Sequence, residues 1–369
     1  MTRYALAATI AIGATAGTAS AEELSLAIGL PPIHPWSMTY TYVDENIEEA
    51  TGGKYSAEVY YGSLLNLKQS LTGLRDGIAD AAMLVPGYHP AEMPHTNLVV
   101  DLAMLGDDSV SVAGAVMEYM FTCPECLEES EDNGSVFVAM NVNPVYMLQT
   151  MEPMTTPEDL QGKKIRSFSA FGRWVEYVGG IKMSMSANDI YDALSRGTLD
   201  ANMHPASELY SLNFKDVVKY ITNLPLGTYN GNQFNFNIDT WQAMPEEDRR
   251  AIFELFAEAV AHAQVGAENF NDEVLATRAP ADGIEVVEPS PELVALTERF
   301  IEDDLAKMDE MARENYGIED APARIERFQG LVDRWKSLTS EIDDSDPEAV
   351  ATLYKREVFD KVDMANHGL

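Results

Sequence analysis

The chain has 369 residues, 46% of them hydrophobic and 23% charged, a globular composition and a length that suggests two lobes or domains. Against 60 acids stand 25 bases, a formal charge of −35, which argues against nucleic acid or an anionic membrane surface as partner, since both are held by basic patches. The acids read as a solvated coat suited to a salty medium, where a Debye length below about 8 Å leaves a small anion barely repelled from a local arginine.

Arg3 precedes an apolar stretch over residues 4–17, and Ala19-Ser20-Ala21 is a small-x-small cleavage site before Glu22. Residues 1–21 therefore read as a signal peptide cleaved after Ala21, and the mature chain is expected to be soluble and exported. Residues 23–30 alternate and then turn wholly apolar, as a buried strand does, and Pro31-Pro32 breaks them. A helix is expected over 37–50, closed by Gly52-Gly53. A strand over 54–61, a helix over 66–75 stopped by Gly77, and a strand over 80–86 complete a βαβαβ pattern, the mark of a parallel, doubly wound sheet. Residues 109–129 read as one helix and 135–141 as a strand. Export favours a structural disulfide between Cys123 and Cys126 over a redox pair, and zinc lacks further ligands nearby.

After a crossing at 141–144 and a strand at 146–150, the pattern returns. Thr156 caps a helix start with Pro157 at its first position. Strands follow at 164–168, 181–185 and 200–204, with helices at 170–177 and 188–195, the second capped by Asn188. Leu74-x-x-Gly77-x-x-Asp80-Ala81-x-Met83 and Leu194-x-x-Gly197-x-x-Asp200-Ala201-x-Met203 repeat at identical spacing. Beyond lie a short helix at 214–220, a strand at 233–238 crossing back, a long amphipathic helix at 245–276, and helices within 291–337 and 347–363 with packing or hinge-bridging roles. The expected fold is α/β: two doubly wound lobes with a hinge, a cleft between them and a long helix. Lobe I takes 22–142 and 232–286, lobe II takes 143–231, and 287–369 pack over both.

Ligands of open parallel sheets bind beyond the carboxyl ends of the strands. Facing lobes make those ends one cleft. Residues 163–182 hold five bases (Lys163, Lys164, Arg166, Arg173, Lys182) and one acid, Glu176, a reversal of the chain's balance. Arg166, at a strand end, is either a surface or salt-bridged arginine or the grip for an anion, because a guanidinium holds a carboxylate through two parallel hydrogen bonds. His204 either donates to the same anion or is a polar strand end beside Pro205. The candidate binding set is Arg166, His204, Phe168, Tyr146, Asn143, Tyr88, Trp36, His34 and Phe234. No motif for a nucleophile elbow, phosphate loop, zinc protease or dinucleotide fold occurs, so no catalytic residue, cofactor or metal is assigned.

The stretch Pro157-Glu-Asp-Leu-Gln-Gly-Lys-Lys-Ile-Arg166 resembles the "P-x-D-L-x-G-x-K-I-R" signature of periplasmic solute-binding subunits of tripartite ATP-independent (TRAP) transporters. The segment 186–200 is similar to that family's "E-x-Y-x-A-L-x-x-G-x-x-D-G", and His34-Pro35-Trp36, Val217-Val-Lys-Tyr220 and Trp241-Gln-Ala-Met-Pro245 also fit. The resemblance covers residues 24–260. It implies a periplasmic-binding-protein fold with a long helix spanning both lobes, a small carboxylate ligand salt-bridged to Arg166, and a membrane-embedded, ion-gradient-driven permease as partner. Asp189, Ala201, Met203 and His204 depart from the pattern, and Val145 and Tyr146 stand where sialic-acid-type members carry a second arginine. These departures put sugar acids and metal-assisted binding in doubt. The reading from another class is an exported hydrolase or lyase using the same cleft, or a module presenting its ligand to a sensor.

Overall fold

The computed structural model describes residues 21–369; apart from Ala21, the expected signal peptide lies outside them. The first part of the chain runs β1 (Glu22–Ile28), α1 (Ser37–Ala50), β2 (Tyr55–Tyr61), α2 (Ser70–Arg75), β3 (Ala81–Leu84), α3 (Pro94–Val100), α4 (Ser109–Phe121), α5 (Pro124–Asp132) and β4 (Ser135–Asn141). The second runs β5 (Met147–Thr150), α6 (Pro157–Leu160), β6 (Lys164–Arg166), α7 (Ser169–Tyr177), β7 (Ile181–Met183), α8 (Ile190–Ser195), β8 (Ala201–His204), α9 (Glu208–Ser211) and β9 (Tyr220–Thr222). The chain then returns through β10 (Asn232–Asn237), α10 (Ile238–Ala243), α11 (Glu246–Glu273), α12 (Ala279–Ala281), β11 (Glu285–Val287), α13 (Pro291–Tyr316), α14 (Ala321–Thr339) and α15 (Pro347–Glu357).

One sheet has the order β2-β1-β3-β10-β4 and the other β11-β9-β5-β8-β6-β7. In each, a parallel trio comes from one βαβαβ unit: β1 pairs with β2 and β3, and β6 with β7 and β8. An antiparallel strand then borders the trio, β10 on β3 and β5 on β8. This is the two-lobed α/β fold, with the segments 142–146 and 223–231 crossing between the sheets.

The repeated motif has a common physical role. Gly77 and Gly197 adopt φ of +70° and +67°, which ends each helix at a position few other residues tolerate. Asp80 Oδ2 accepts from Ser25 N at 2.8 Å, and Asp200 Oδ2 accepts from Lys164 N at 2.8 Å. Each aspartate thus pins the third strand of its unit to the first, β3 to β1 and β8 to β6.

Four local expectations need correction. Residues 109–129 form two helices, because Pro124 forces Cys123 into extended backbone (φ −116°, ψ 95°), where it caps α5. Cys123 and Cys126 are joined by a disulfide with Cα atoms 5.3 Å apart. Residues 214–220 give only a short 3₁₀ turn, since Tyr220 is drawn into β9 by pairing with Thr150. Glu285 and Val286, read with the first lobe, lie in the second sheet, where β11 pairs parallel with β9. Asn188 caps no helix; its Nδ2 donates to Gly29 O at 3.0 Å, across to the first lobe.

The helix α11 reaches both lobes: Val260 O accepts from Asn141 Nδ2 at 2.9 Å, and Asn271 Oδ1 from Ser207 N at 3.2 Å. The C-terminal helices pack as expected of amphipathic segments, α14 on α4 and α15 on α11. A Cβ at Gly114 would lie 2.2 Å from Trp335 Cε3, so α4 and α14 approach this closely only because that residue is glycine. Gly114→Ala should cost about 1–3 kcal/mol through overpacking, read as an earlier denaturation midpoint with Trp335 losing its native fluorescence. An unchanged midpoint would show that α14 does not depend on this contact.

Burial raises the carboxyl of Glu268, on α11, to about 7, with Asp108 and Asp272 adding to the effect and a bond from Ser109 opposing it. A carboxyl raised on folding contributes stability that is full below the unfolded value near 4.5 and is lost as pH rises through about 7. The protein should therefore lose stability between pH 5 and pH 8, with Glu268 contributing about 2 kcal/mol. Thermal melts of Glu268→Gln should show a shallower decline. A slope unchanged by that substitution would assign the loss to other groups.

Candidate functional site

The parallel strands of both sheets end at one cavity. From the first lobe come His34 and Trp36, past β1, and Tyr88, past β3; from the second come Arg166 and Phe168 at the end of β6, and His204 at the end of β8. The crossing segments add Asn143, Tyr146 and Tyr229, and the first residue of β10 adds Asn232. The cavity leaves about 30 Å³ open to the centre of a water molecule, room for about two waters. Its walls must part for anything larger to enter.

Arg166 is 1% exposed. Its Nε and Nη2 donate to Met185 O at 3.3 and 3.2 Å, and Nη2 also donates to Tyr88 OH at 2.9 Å. Nη1 lies 3.2 Å from His204 Nε2, and the guanidinium carbon sits 4.8 Å from the centre of the Phe168 ring. Among the described residues no carboxylate comes within 4 Å of it. A buried cation is ordinarily paired, because desolvation of an isolated charge costs several kcal/mol.

A chain of amides fixes the His204 tautomer. Gln149 Nε2 donates to the carbonyls of His204 and Pro205 at 3.2 and 2.7 Å, so Gln149 Oε1 accepts from Asn202 Nδ2 at 3.3 Å. Asn202 Oδ1 then faces His204 Nδ1 at 2.8 Å, which must carry the proton. Nε2 is left as an acceptor for Arg166. Burial and the nearby Arg166 and His34 push His204 down to about 3 against the pull of Glu208, which keeps it neutral. In this tautomer His204 orients Arg166 and has no Nε2–H to give an anion, so of the two alternatives read from sequence it fits the polar strand end and not the donor.

Glu208 was missed by sequence reasoning because its one signal, a place four residues after His204, does not stand out among 60 acids. It is 4% exposed. Burial works to raise its carboxyl, while the Nε2–H of His34 and the charge of Arg166 favour its ionised form. Oε1 accepts from Asn143 Nδ2 at 3.1 Å and lies 3.7 Å from His34 Nε2. His34 Nδ1 accepts from Trp36 N at 3.2 Å, so the neutral ring presents its Nε2–H to Glu208.

Eight of the nine expected residues border this cavity. Phe234 does not: two positions further along β10 than Asn232, it is buried against Tyr40 and Phe256 in the first-lobe core. A step of two residues is about 6.8 Å along a strand, enough to carry a side chain from the cleft into the sheet. Tyr146 stacks on Phe171 at 4.5 Å, so its ring is anchored from behind. Among the described residues, no cluster of three or more His, Cys, Asp or Glu could hold a metal ion.

The lobes also touch beside the cavity. Asp101, following α3, accepts from Ser169 Oγ at 2.6 Å and Arg173 Nη1 at 2.9 Å on α7, and from Tyr316 OH at 2.6 Å on α13. Arg173 also forks onto Asp304 of α13 at 2.7 and 2.8 Å. Ser169, next to Phe168, holds φ of +51°, a left-handed conformation uncommon for a serine. A second tie is Tyr88 OH, which accepts from Ala187 N at 3.1 Å as well as from Arg166.

Residues 26–311 match the family described as bacterial extracellular solute-binding protein, family 7. The chain is 26% identical over 214 residues to a solute-binding protein of Verminephrobacter eiseniae and 25% identical over 293 residues to the C4-dicarboxylate-binding periplasmic protein DctP of Rhodobacter capsulatus. These matches cover 57% and 72% of this chain, and 63% and 83% of the respective relatives. A second solute-binding protein, from Albidiferax ferrireducens, is matched over 54% of its length, 50% of this chain, at 24% identity. Among solved structures, the chain is similar to a marine metagenome TRAP solute-binding protein in complex with 3-hydroxybenzoate, with a TM-score of 0.76 at 18% identity over 86% of this chain and 99% of that one. DctP7 of Bordetella pertussis, a receptor binding pyroglutamic acid, gives a TM-score of 0.72 at 18% identity over 84% and 100%.

Proposed function

Because the chain belongs to bacterial extracellular solute-binding protein family 7, as a solute-binding subunit of a TRAP transporter, we propose that it captures a small carboxylate between its lobes and delivers it to a membrane-embedded TRAP permease. Arg166 grips the carboxylate. One observation carries this reading: a guanidinium 1% exposed, facing a cavity, with no carboxylate of the described residues within 4 Å. An anionic ligand would meet the Arg166 N–H groups directly with charge-assisted hydrogen bonds, which no carboxylate of the described residues does. Tyr88, Phe168, Tyr146 and Trp36 give the apolar wall such a site needs around its few polar groups. No helix among the described residues is long and apolar enough to cross a membrane, so the permease is a separate partner in this proposal. The proposed place of action is the periplasm, reached through the leader read over residues 1–21.

A thermal-shift screen against mono- and dicarboxylates should find a stabilising acid, and native mass spectrometry of the purified protein should give the mass of any acid carried through purification. A ligand bound at saturation raises the melting temperature by mass action, without turnover. Failure of every acid to shift the melting temperature, or conversion of a bound acid to product, would sink the proposal.

A further inference from the structure

Glu208 is an anion inside a cavity proposed to take an anion, and it has a specific unmet need. Its Oε2 is buried and has no hydrogen-bond partner among the described residues. His204 Nε2 lies 3.3 Å from it, but the His204 proton sits on Nδ1, so Oε2 faces a lone pair. The opposite oxygen, Oε1, is held by Asn143, whose own Oδ1 accepts from Asn232 Nδ2 at 2.6 Å. The carboxylate is therefore fixed on one side and unanswered on the other. A buried acceptor left unsatisfied costs about 1–3 kcal/mol, more when charged, and such an atom in a binding cavity calls for a donor from the ligand.

We propose that Glu208 reads a hydrogen-bond donor on the ligand, so that the captured acid carries a hydroxyl or an ammonium close to its carboxylate. The proposal rests on the grip of Arg166 on that carboxylate. Distance sets how close the donor must be. Arg166 Nη1 and Glu208 Oε2 lie 3.2 and 3.3 Å from the same nitrogen of His204, so no more than 6.5 Å separates them. A carboxylate on Arg166 then brings the first or second carbon beyond it opposite Oε2. Charge favours the same class. Arg166 and Glu208 balance each other, and a plain carboxylate would leave one buried negative charge uncompensated. An ammonium removes that excess, and a hydroxyl at least disperses it through a charge-assisted bond.

The test uses families of acids of two to five carbons, each with unsubstituted, 2-oxo, 2-hydroxy and 2-amino members, measured by titration calorimetry on the purified protein. The hydroxy or amino member should bind at least tenfold tighter than its unsubstituted and oxo counterparts, and the better of the two identifies the donor. In Glu208→Gln, Asn143 should hold the amide oxygen and turn the amide nitrogen toward the ligand, so the preference should shift to the 2-oxo member. A merely structural role for Glu208 would weaken all members alike. Equal binding of unsubstituted acids overturns the proposal while leaving the Arg166 reading intact. Unsubstituted acids that bind as tightly while taking up one proton, seen by repeating the titration in buffers of different ionisation heat, would assign Oε2 to a protonated His204 and also overturn it. If Glu208→Gln does not fold, the order of affinities in the unaltered protein decides. If no acid binds at all, the carboxylate reading falls first.

Discussion

Arg166→Ala should weaken binding of the captured acid by a hundredfold or more. Two charge-assisted hydrogen bonds contribute about 1.5–3 kcal/mol each, so their loss is worth roughly two to four orders of magnitude in affinity. Arg166→Lys should fall between, because an ammonium keeps the charge and loses the planar fork. The measurement is titration calorimetry with the acid found by screening, and circular dichroism checks the fold. The control matters because Arg166 also donates to Met185 O, Tyr88 OH and His204 Nε2, bonds that are lost in the variant. A folded Arg166→Ala protein that binds the same acid undiminished would remove the central claim.

The second large effect is expected at Asp101, which reaches the lobe of Arg166 through Ser169, the neighbour of Phe168. Its carboxylate accepts from Ser169, Arg173 and Tyr316, which joins the chain after α3 to α7 and to α13. Among the described residues, Asp101→Ala leaves a largely buried guanidinium with only Asp304 as its acid, takes the acceptor from the Tyr316 hydroxyl and leaves the Ser169 hydroxyl with Val100 O alone. Breaking a buried pair from one side costs about 3–5 kcal/mol. Part of that loss falls on closure, because Ser169 and Arg173 belong to the lobe that carries Arg166. The variant should melt earlier and bind its acid more weakly, and small-angle scattering should give a larger radius of gyration than the unaltered protein under saturating ligand. Asp101→Asn, which keeps the shape and one acceptor, should show a smaller version of both effects. A radius and affinity unchanged in Asp101→Ala would show that this cluster supports folding alone.

Several elements were legible because local chemistry decides them. The helix α1 runs over Ser37–Ala50 as its pattern predicts, closed by Gly52 and Gly53 at φ of +63° and +79°. The Thr156 cap with Pro157 at the first position appears as a full capping box with Asp159. The duplicated Gly-x-x-Asp motif told of two like units, and in both the aspartate holds a neighbouring strand's N–H. Arg166 was legible as a strand-end residue beside the cleft, while the pattern left open whether it is salt-bridged or free to grip an anion.

Other features depend on partners far away in the chain. Asn188 reads locally as a cap and instead bonds to Gly29 of the other lobe. The strand β11 exists because β9 offers it an edge, and nothing within Glu285–Val287 announces that. Phe234 follows a strand pattern in which cleft and core positions look alike, and the distance from the strand end separates them. His204 was visible as a polar strand end, but its proton is placed by Asn202 and, behind that, by Gln149.

The sequence by itself determined the two-unit α/β plan and the strand ends where a ligand would sit, because helix caps, glycine turns and apolar periodicity act over a few residues. Tertiary structure alone decided the electrostatics of the cavity. Residues from positions 34 to 232 converge there, and their charges and tautomers are set by burial and by one another. Glu208 makes the difference concrete: one acid among 60 in the sequence, and in the fold a buried carboxylate with one oxygen unanswered.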